Sequence, residues 1–393
     1  MIRIGSSKGP AWLRWMVALA LAVSAVMAGC GGGVGVGGTG AFASGPITGF
    51  GSVFVGGIEF DDASASVLDE DGAASSRAAL RLGMVAEVDS GPVGGSEAAP
   101  VATATTIRYA AELVGLAGAI DVPNATLTVF GQTVKVSELT VFDPALANGL
   151  ASVADGSALE VYGFHDPATG QYGATRIQPR NGTLSVYRVR GPVADLDRTA
   201  RRFRIGSVPF SYTGEAPVLA EGAIVRLQAD TTPVAGRWVV RSVVDGVRRL
   251  PDLDHARLHG PISRYGSDTD FSVDGQTVDA RTASFIGRPG DLALGVNVVV
   301  DGRVQSGVLV ASRVRIDERG GSQGAFQLKG AIQSVDAPAQ TLRLRDLTVD
   351  YGSNGVQFVG GSAADLLPGR TLDVRGVLSA SGTRLSARRI TFD

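Results

Sequence analysis

From residue 45 onward, apolar and polar positions alternate in short runs broken by turn formers, the period of half-buried β-strands. Five of these runs double back: VFVGGIEF from Val53, LTVFGQTVKV from Leu127, FRIGSVPF from Phe203, FSVDGQTVDA from Phe271 and LRLRDLTVDY from Leu342. Each predicts a β-hairpin, with apices at Gly56-Gly57, Phe130-Gly131, Gly206-Ser207, Asp274-Gly275 and Arg345-Asp346. A shared start precedes each hairpin: GPITGFGSVF at Gly45, GAIDVPNATLTV at Gly118, GPVADLDRTARRF at Gly191, GPISRYGSDTDF at Gly260 and GAIQSVDAPAQTL at Gly330. These starts are spaced by 73, 73, 69 and 70 residues. A Gly-led alternating strand then follows, from Gly83, Gly156, Gly222, Gly295 and Gly369, and each unit closes on a last strand such as ATTIRY or ARRITF.

Five copies of a unit of about 70 residues result, each with five or six short strands. A flat sheet of that size leaves two open edges and an uncovered face, and closure into a small barrel removes both. The expected fold is therefore all-β, a tandem array of five OB-like Greek-key barrels at 45–112, 113–184, 185–254, 255–321 and 322–393. A β-sandwich built from pairs of repeats is the alternative. A propeller is disfavoured, because a four-stranded blade needs only about 40–50 residues. As a tandem array, the units are expected to form a quasi-linear string exposing long surfaces.

The stretch GFGSVFVGG, Gly49 to Gly57, has the look of a phosphate-binding loop. In the other copies Gly56-Gly57 aligns with Asp-Gly and Arg-Asp, and no helix start follows, so these glycines read as turn formers.

The N-terminus bears on location. Arg3, Lys8 and Arg14 precede the apolar run WMVALALAVSAVMA, Trp15 to Ala28. At about 14 residues this is too short for a comfortable transmembrane helix of about 20 and has the flanks of a secretory signal, here residues 1–29. Cys30 is the single cysteine, which excludes an intrachain disulfide. Met27-Ala28-Gly29-Cys30 resembles the bacterial lipoprotein signal, in which the thiol receives diacylglycerol. The uncharged GGGVGVGGTG that follows reads as a flexible tether, residues 30–44. Gly31 stands where lipoproteins retained in the inner membrane often carry Asp, so the resemblance implies the outer membrane. Loss of residues 1–29 removes three basic and no acidic groups, leaving 33 against 38 and a formal charge of −5. That balance carries no nucleic-acid signature.

Taken together, the start GPITGFGSVFVGGIEFD, the Gly-led strand and the closing A-x-x-I strand resemble the bacterial domain-of-unknown-function family 5666, found in envelope lipoproteins and often repeated. The first copy carries the resemblance most fully. It implies a barrel architecture in the cell envelope, and brings no catalytic, metal or cofactor residues with it.

Candidate chemistry is sparse. His255 and His259, near Asp252 and Asp254, lie four apart on a strand and read as solvated strand-edge residues rather than a metal pair. His165 reads as a surface residue. Asp61-Asp62 and Asp69-Glu70-Asp71 read as solvated turns, and Asp268 with Asp270 lacks the twelve-residue calcium-loop pattern. No nucleophile elbow is present. Charge is the clearest departure: residues 45–112 hold 3 basic and 10 acidic groups, residues 185–252 hold 11 and 7. Arg198, Arg201, Arg202 and Arg204 are the expected anionic-ligand patch, Arg202 and Arg204 sharing a strand face, with Arg248-Arg249 further on. The expected function is that of a non-enzymatic, lipid-anchored envelope protein that binds or spaces glycan, lipid head groups or protein. The alternative is a hydrolase of cell-wall or surface polysaccharide.

Overall fold

The computed structural model describes residues 40–215, 218–317, 325–345, 347–379 and 382–393. The signal segment, Cys30 and most of the glycine tract lie outside the described residues, as does Asp346 at the fifth hairpin apex.

The alternating pattern becomes a closed ladder. In the first copy, strand Ala41–Phe50 pairs antiparallel with Val53–Val55, and this with Ile58–Asp61. Ile58–Asp61 lies parallel to the last strand, Ala99–Tyr109, which pairs antiparallel with Val85–Ser90; that strand returns to Ala41–Phe50. The order first–second–third–fifth–fourth–first is that of an OB barrel. The same cycle of pairings runs through residues 113–179, 253–316 and 325–392, and through 187–245 with the first strand in two pieces, Tyr187–Pro192 and Ala194–Asp197. Inward residues fill each barrel: Phe203, Ile205, Phe210, Val225 and Leu227, for example, are all buried.

The copies agree down to single hydrogen bonds. Gly83, Gly156, Gly222, Gly295 and Gly369 sit at left-handed φ of 82°, 76°, 75°, 82° and 89°. Each donates its N–H to the carbonyl of the equivalent first-strand residue: Ile47, Ala117, Val193, Ile262 and Ile332. Three positions before each glycine a buried side chain plugs the barrel end: Leu80, Val153, Leu219, Leu292 and Leu366. At the hairpin apices Gly56, Gly57, Phe130, Gly131, Asp274 and Gly275 have φ between 47° and 90°, the backbone of a primed two-residue turn.

These bonds correct one register. Because Ala117 stands where Ile47 and Ile332 stand, the second copy starts at Gly115, not Gly118. The spacings become 70, 76, 69 and 70. A Gly-Ala pair, Gly118-Ala119, lies in the first-strand bulge, where Ala119 adopts φ 43°, and it mimics the start motif.

The copies do not form a string. Residues Gly38–Asp393 make one compact unit. Strand Ala41–Phe50 begins inside the stretch read as tether, and Ala41, Phe42 and Ala43 are buried. Ala41 to Ser44 pair in parallel with His255 to Leu258 of the fourth copy. Further along the same strand, Gly49 and Phe50 pair with Gln327 and Leu328 of the fifth. Leu113 and Val114 of the second copy pair with Val189 and Arg188 of the third. Gly49 is needed for this contact, and Gly51 serves both it and the turn that follows the strand. A Cβ at either would stand 2.4 Å from the Gln327 carbonyl oxygen or from Lys329 Cβ.

Candidate functional site

Strand Ala41–Phe50 leaves the edge of the fourth copy at Ser44 and meets the fifth at Gly49. Five residues at about 3.3 Å each put the two ladders roughly 16 Å apart. Pro46, Ile47 and Thr48 in this interval line a cavity of about 800 Å³ with walls from the first, second, fourth and fifth copies. Phe54, Phe164 and Phe326 supply its aromatic surface, and Asn297, Arg315, Gln327 and Arg375 supply polar groups from facing barrels.

Each polar group is set by the ladders. Arg315 lies opposite Val299, which in turn lies opposite His259. Arg375 lies opposite Gln327, whose carboxamide donates to Asp373 at 2.7 Å. Burial raises the Asp373 carboxyl above its ordinary range, against the pull of Arg375. Among the described residues, neither the Arg315 nor the Arg375 guanidinium has a hydrogen-bond or ion-pair partner, and the Asn297 carboxamide has none. Two cations and an amide therefore face the same space with their donors uncommitted.

His259 also lines this cavity, with Nε2 2.8 Å from Asp317 Oδ2 and both side chains buried. The pair occupies a position used in other copies. Lys329, likewise just before a start glycine, reaches Asp393 at 3.3 Å, just after the last strand. Arg190 reaches the carbonyl of Gly246 at 2.7 Å in the same place. The His259–Asp317 contact is thus a clasp joining first and last strands, recurring in three barrels with different chemistry. This corrects the expectation of solvated histidines: His259 is buried, and burial holds the His255 imidazole below its ordinary value. His165 is half-buried against Tyr172, with ring centroids 5.1 Å apart.

A second junction explains the charge asymmetry. Arg190 donates to Asp274 at 2.8 Å and to Glu112 at 3.3 Å, and Arg226 lies 3.5 Å from the same Glu112. Burial raises the Glu112 carboxyl, opposed by the two guanidiniums. Arg188 grips Asp71 through two bonds of 2.6 and 2.7 Å and stands 3.1 Å from Glu70, while Arg248 holds Asp89 at 2.9 Å. The acidic first copy and the basic third copy are therefore neutralised against each other. Glu70 and Asp71, read as solvated turn residues, are docking groups. Asp62 is buried beside Arg77 at 2.8 Å.

The expected arginine patch is local to the third copy. Arg202 and Arg204 do share an exposed face, in the alternating Arg202–Ile205 strand. Arg202 pairs with Asp197 at 3.0 Å, Arg204 donates to the Ser207 carbonyl at 3.0 Å, and Arg198 donates to the Leu219 carbonyl. Arg201 takes φ 51° at the turn before that strand. None of the four lines the cavity between the barrels. Arg315 and Arg375 were not singled out in the sequence, since each is one arginine in an alternating strand. Among the described residues no three His, Cys, Asp or Glu side chains gather into a metal-binding group.

Residues 117–178, 259–315 and 329–391 match the model of a family described as Domain of unknown function (DUF5666). The chain carries tandem DUF5666-like repeats. The matched segments fall on the second, fourth and fifth barrels, not on the first, where the resemblance was read most fully. The first DUF5666-like copy departs in length, with eight residues from Gly45 to Val53 against twelve from Gly330 to Leu342. No protein of curated function matches the chain.

Proposed function

We propose that this chain is a non-enzymatic binding protein of the bacterial cell envelope. It is anchored through acyl chains on Cys30 and presents a cluster of five OB-like modules to an envelope component. The anchor rests on the signal-like residues 1–29 and the lipoprotein-like Met27-Ala28-Gly29-Cys30. Two or three acyl chains suffice for stable attachment, and Gly31 favours the outer membrane.

The observation that carries the binding reading is the cavity between four barrels, lined by cationic and amide donors without partners among the described residues. Half-buried donors left open, as at Arg315 and Asn297, with the exposed Arg375 beside them, favour a ligand that supplies acceptors. The titratable pair nearest to them, His259 with Asp317, repeats the barrel clasp of Lys329 with Asp393, which argues for a closing role rather than for acid–base chemistry.

The test is affinity capture of glycan, lipid and protein from envelope extracts with the full chain, alongside incubation of the same chain with each captured species. Retention without chemical change is the expected result. Conversion of a captured polysaccharide to shorter products would overturn the non-enzymatic reading. Cys30→Ser is expected to move the chain from the membrane to the soluble fraction, and its retention on membranes would refute the anchor.

A further inference from the structure

We infer that the cavity between the first, second, fourth and fifth barrels takes a carboxylate-bearing saccharide, a uronate of an acidic polysaccharide. This rests on the binding reading above and names the ligand class. Three features of one space carry it. Arg315 and Arg375 project from different barrels, and neither makes a hydrogen bond or ion pair among the described residues, Arg375 acting on Asp373 only through its field, so the site presents two planar forks with open donors. A guanidinium pairs with a carboxylate through two parallel N–H···O bonds, a geometry that a bare ammonium does not offer.

Neutral donors and acceptors stand beside the forks. Asn297 and Gln171 line the same cavity, and amides of this kind suit hydroxyl groups, which both donate and accept. Phe164 is half-buried in the same lining and offers apolar surface to the C–H face of a sugar ring, while Phe54 and Phe326 there are buried. The acidic groups in the lining are already committed. Asp166 accepts from the Thr169 hydroxyl at 2.8 Å, and Asp317 lies against His259. Arg315 and Arg375 thus keep open donors where both carboxylates are engaged, and the strand that bridges the two ladders runs roughly 16 Å from one to the other.

A lipid phosphate would use the forks but not the amides and apolar surface beside them. A neutral glycan would use that surface but leave both guanidiniums unpaired, a loss that polar sites discriminate strongly.

The experiment is titration calorimetry on the full-length chain in detergent, with a galacturonate trisaccharide, its neutral galactose counterpart and inorganic phosphate as probes. The uronate is expected to bind saturably with one site, at least about tenfold more tightly than the neutral trisaccharide. Arg315→Ala and Arg375→Ala are each expected to weaken it by about tenfold or more. The triple variant R201A/R202A/R204A is expected to bind as the parent does. Arg375 is exposed on its barrel wall, so its variant reports on the ligand even if Arg315→Ala disturbs folding. Equal affinity for acidic and neutral sugars, competition by phosphate at the same concentration as uronate, or unchanged binding in both arginine variants would each overturn the proposal. If the R315A/R375A chain still captures its envelope component while uronate binding is absent, the saccharide assignment fails and the binding reading stands. If the parent chain captures nothing, the binding reading itself fails.

Discussion

The five equivalent glycines allow an experiment with internal controls. Gly83, Gly156, Gly222, Gly295 and Gly369 share a left-handed φ of 75–89° and the same backbone hydrogen bond. Replacing any of them with Ala forces a Cβ into that conformation, at about 1–2 kcal/mol. The smaller entropy of the unfolded chain returns roughly 0.4–1 kcal/mol. At Gly156, Gly222 and Gly369 a Cβ meets nothing within 4 Å, so these three variants isolate the backbone effect. Gly83 differs. Its Cβ would stand 2.4 Å from the carbonyl oxygen of Thr175 in the second barrel, a backbone atom that cannot swing away. Overpacking of this kind adds about 1–3 kcal/mol. Net losses of about 1 kcal/mol are expected at the three open positions and about 2–4 kcal/mol for Gly83→Ala. Gly295→Ala falls between, since its clash at 2.4 Å is with Asp166 Oδ1, an atom at the end of a side chain. Trp238 is the one tryptophan after residue 29, and its ring lies 5.1 Å from Phe130 and Tyr187 at the seam of the second and third barrels. Urea midpoints read from its fluorescence, with circular dichroism as a second probe, give the comparison. Five equal losses would refute the close seating of the first barrel on the second.

Three further outcomes are expected. Arg190→Ala leaves Asp274 without its arginine and the buried Glu112 with Arg226 alone, and should cost about 3–5 kcal/mol in urea denaturation; a loss below about 1 kcal/mol would contradict the buried-junction account. Phe130→Ala, at a ring 4.7 Å from Tyr187 and 5.1 Å from Trp238, should cost about 3–5 kcal/mol and red-shift Trp238 emission, whereas an unshifted spectrum would refute the shared seam. Burial lowers both His165 and His255 in the folded chain, so the unfolded chain takes up more protons as pH falls through the ordinary histidine value of about 6.5. Their contribution to stability is intact above that pH and is lost below it. The H165F/H255F chain should show a flatter urea midpoint between pH 7.5 and 5 than the parent, and parallel profiles would count against the assignment.

Strand content and hairpin apices were readable because both depend on local pattern: a period of two, then a turn pair such as Asp274-Gly275. The second copy was misregistered at Gly118 because a bulge placed a Gly-Ala pair three residues beyond the true start, and only the Gly156 to Ala117 bond separates the two. The mutual packing of barrels was not legible, since it depends on residues such as Gly49 and Gly51 whose meaning appears only beside Gln327 and Lys329. Charge gave a partial signal. The imbalance between the first and third copies is visible in the sequence, and Arg188 and Arg248, which dock onto Asp71 and Asp89, account for part of it. Arg315 and Arg375 carry no local mark at all, and become notable through what the ladders leave beside them.

Strand Ala41–Phe50 borders the fourth barrel and then the fifth. In an open solenoid a terminal unit can be gained or lost with little consequence for the others. Here, loss of the fifth barrel would strip Gly49 and Phe50 of their neighbours, and an extra unit spliced ahead of the fourth would displace the edge that Ala41 to Ser44 occupy. The order of the fourth and fifth units is therefore tied to the first strand, and changes of letters within units are expected to be tolerated far more readily than loss or insertion of a unit at these two places.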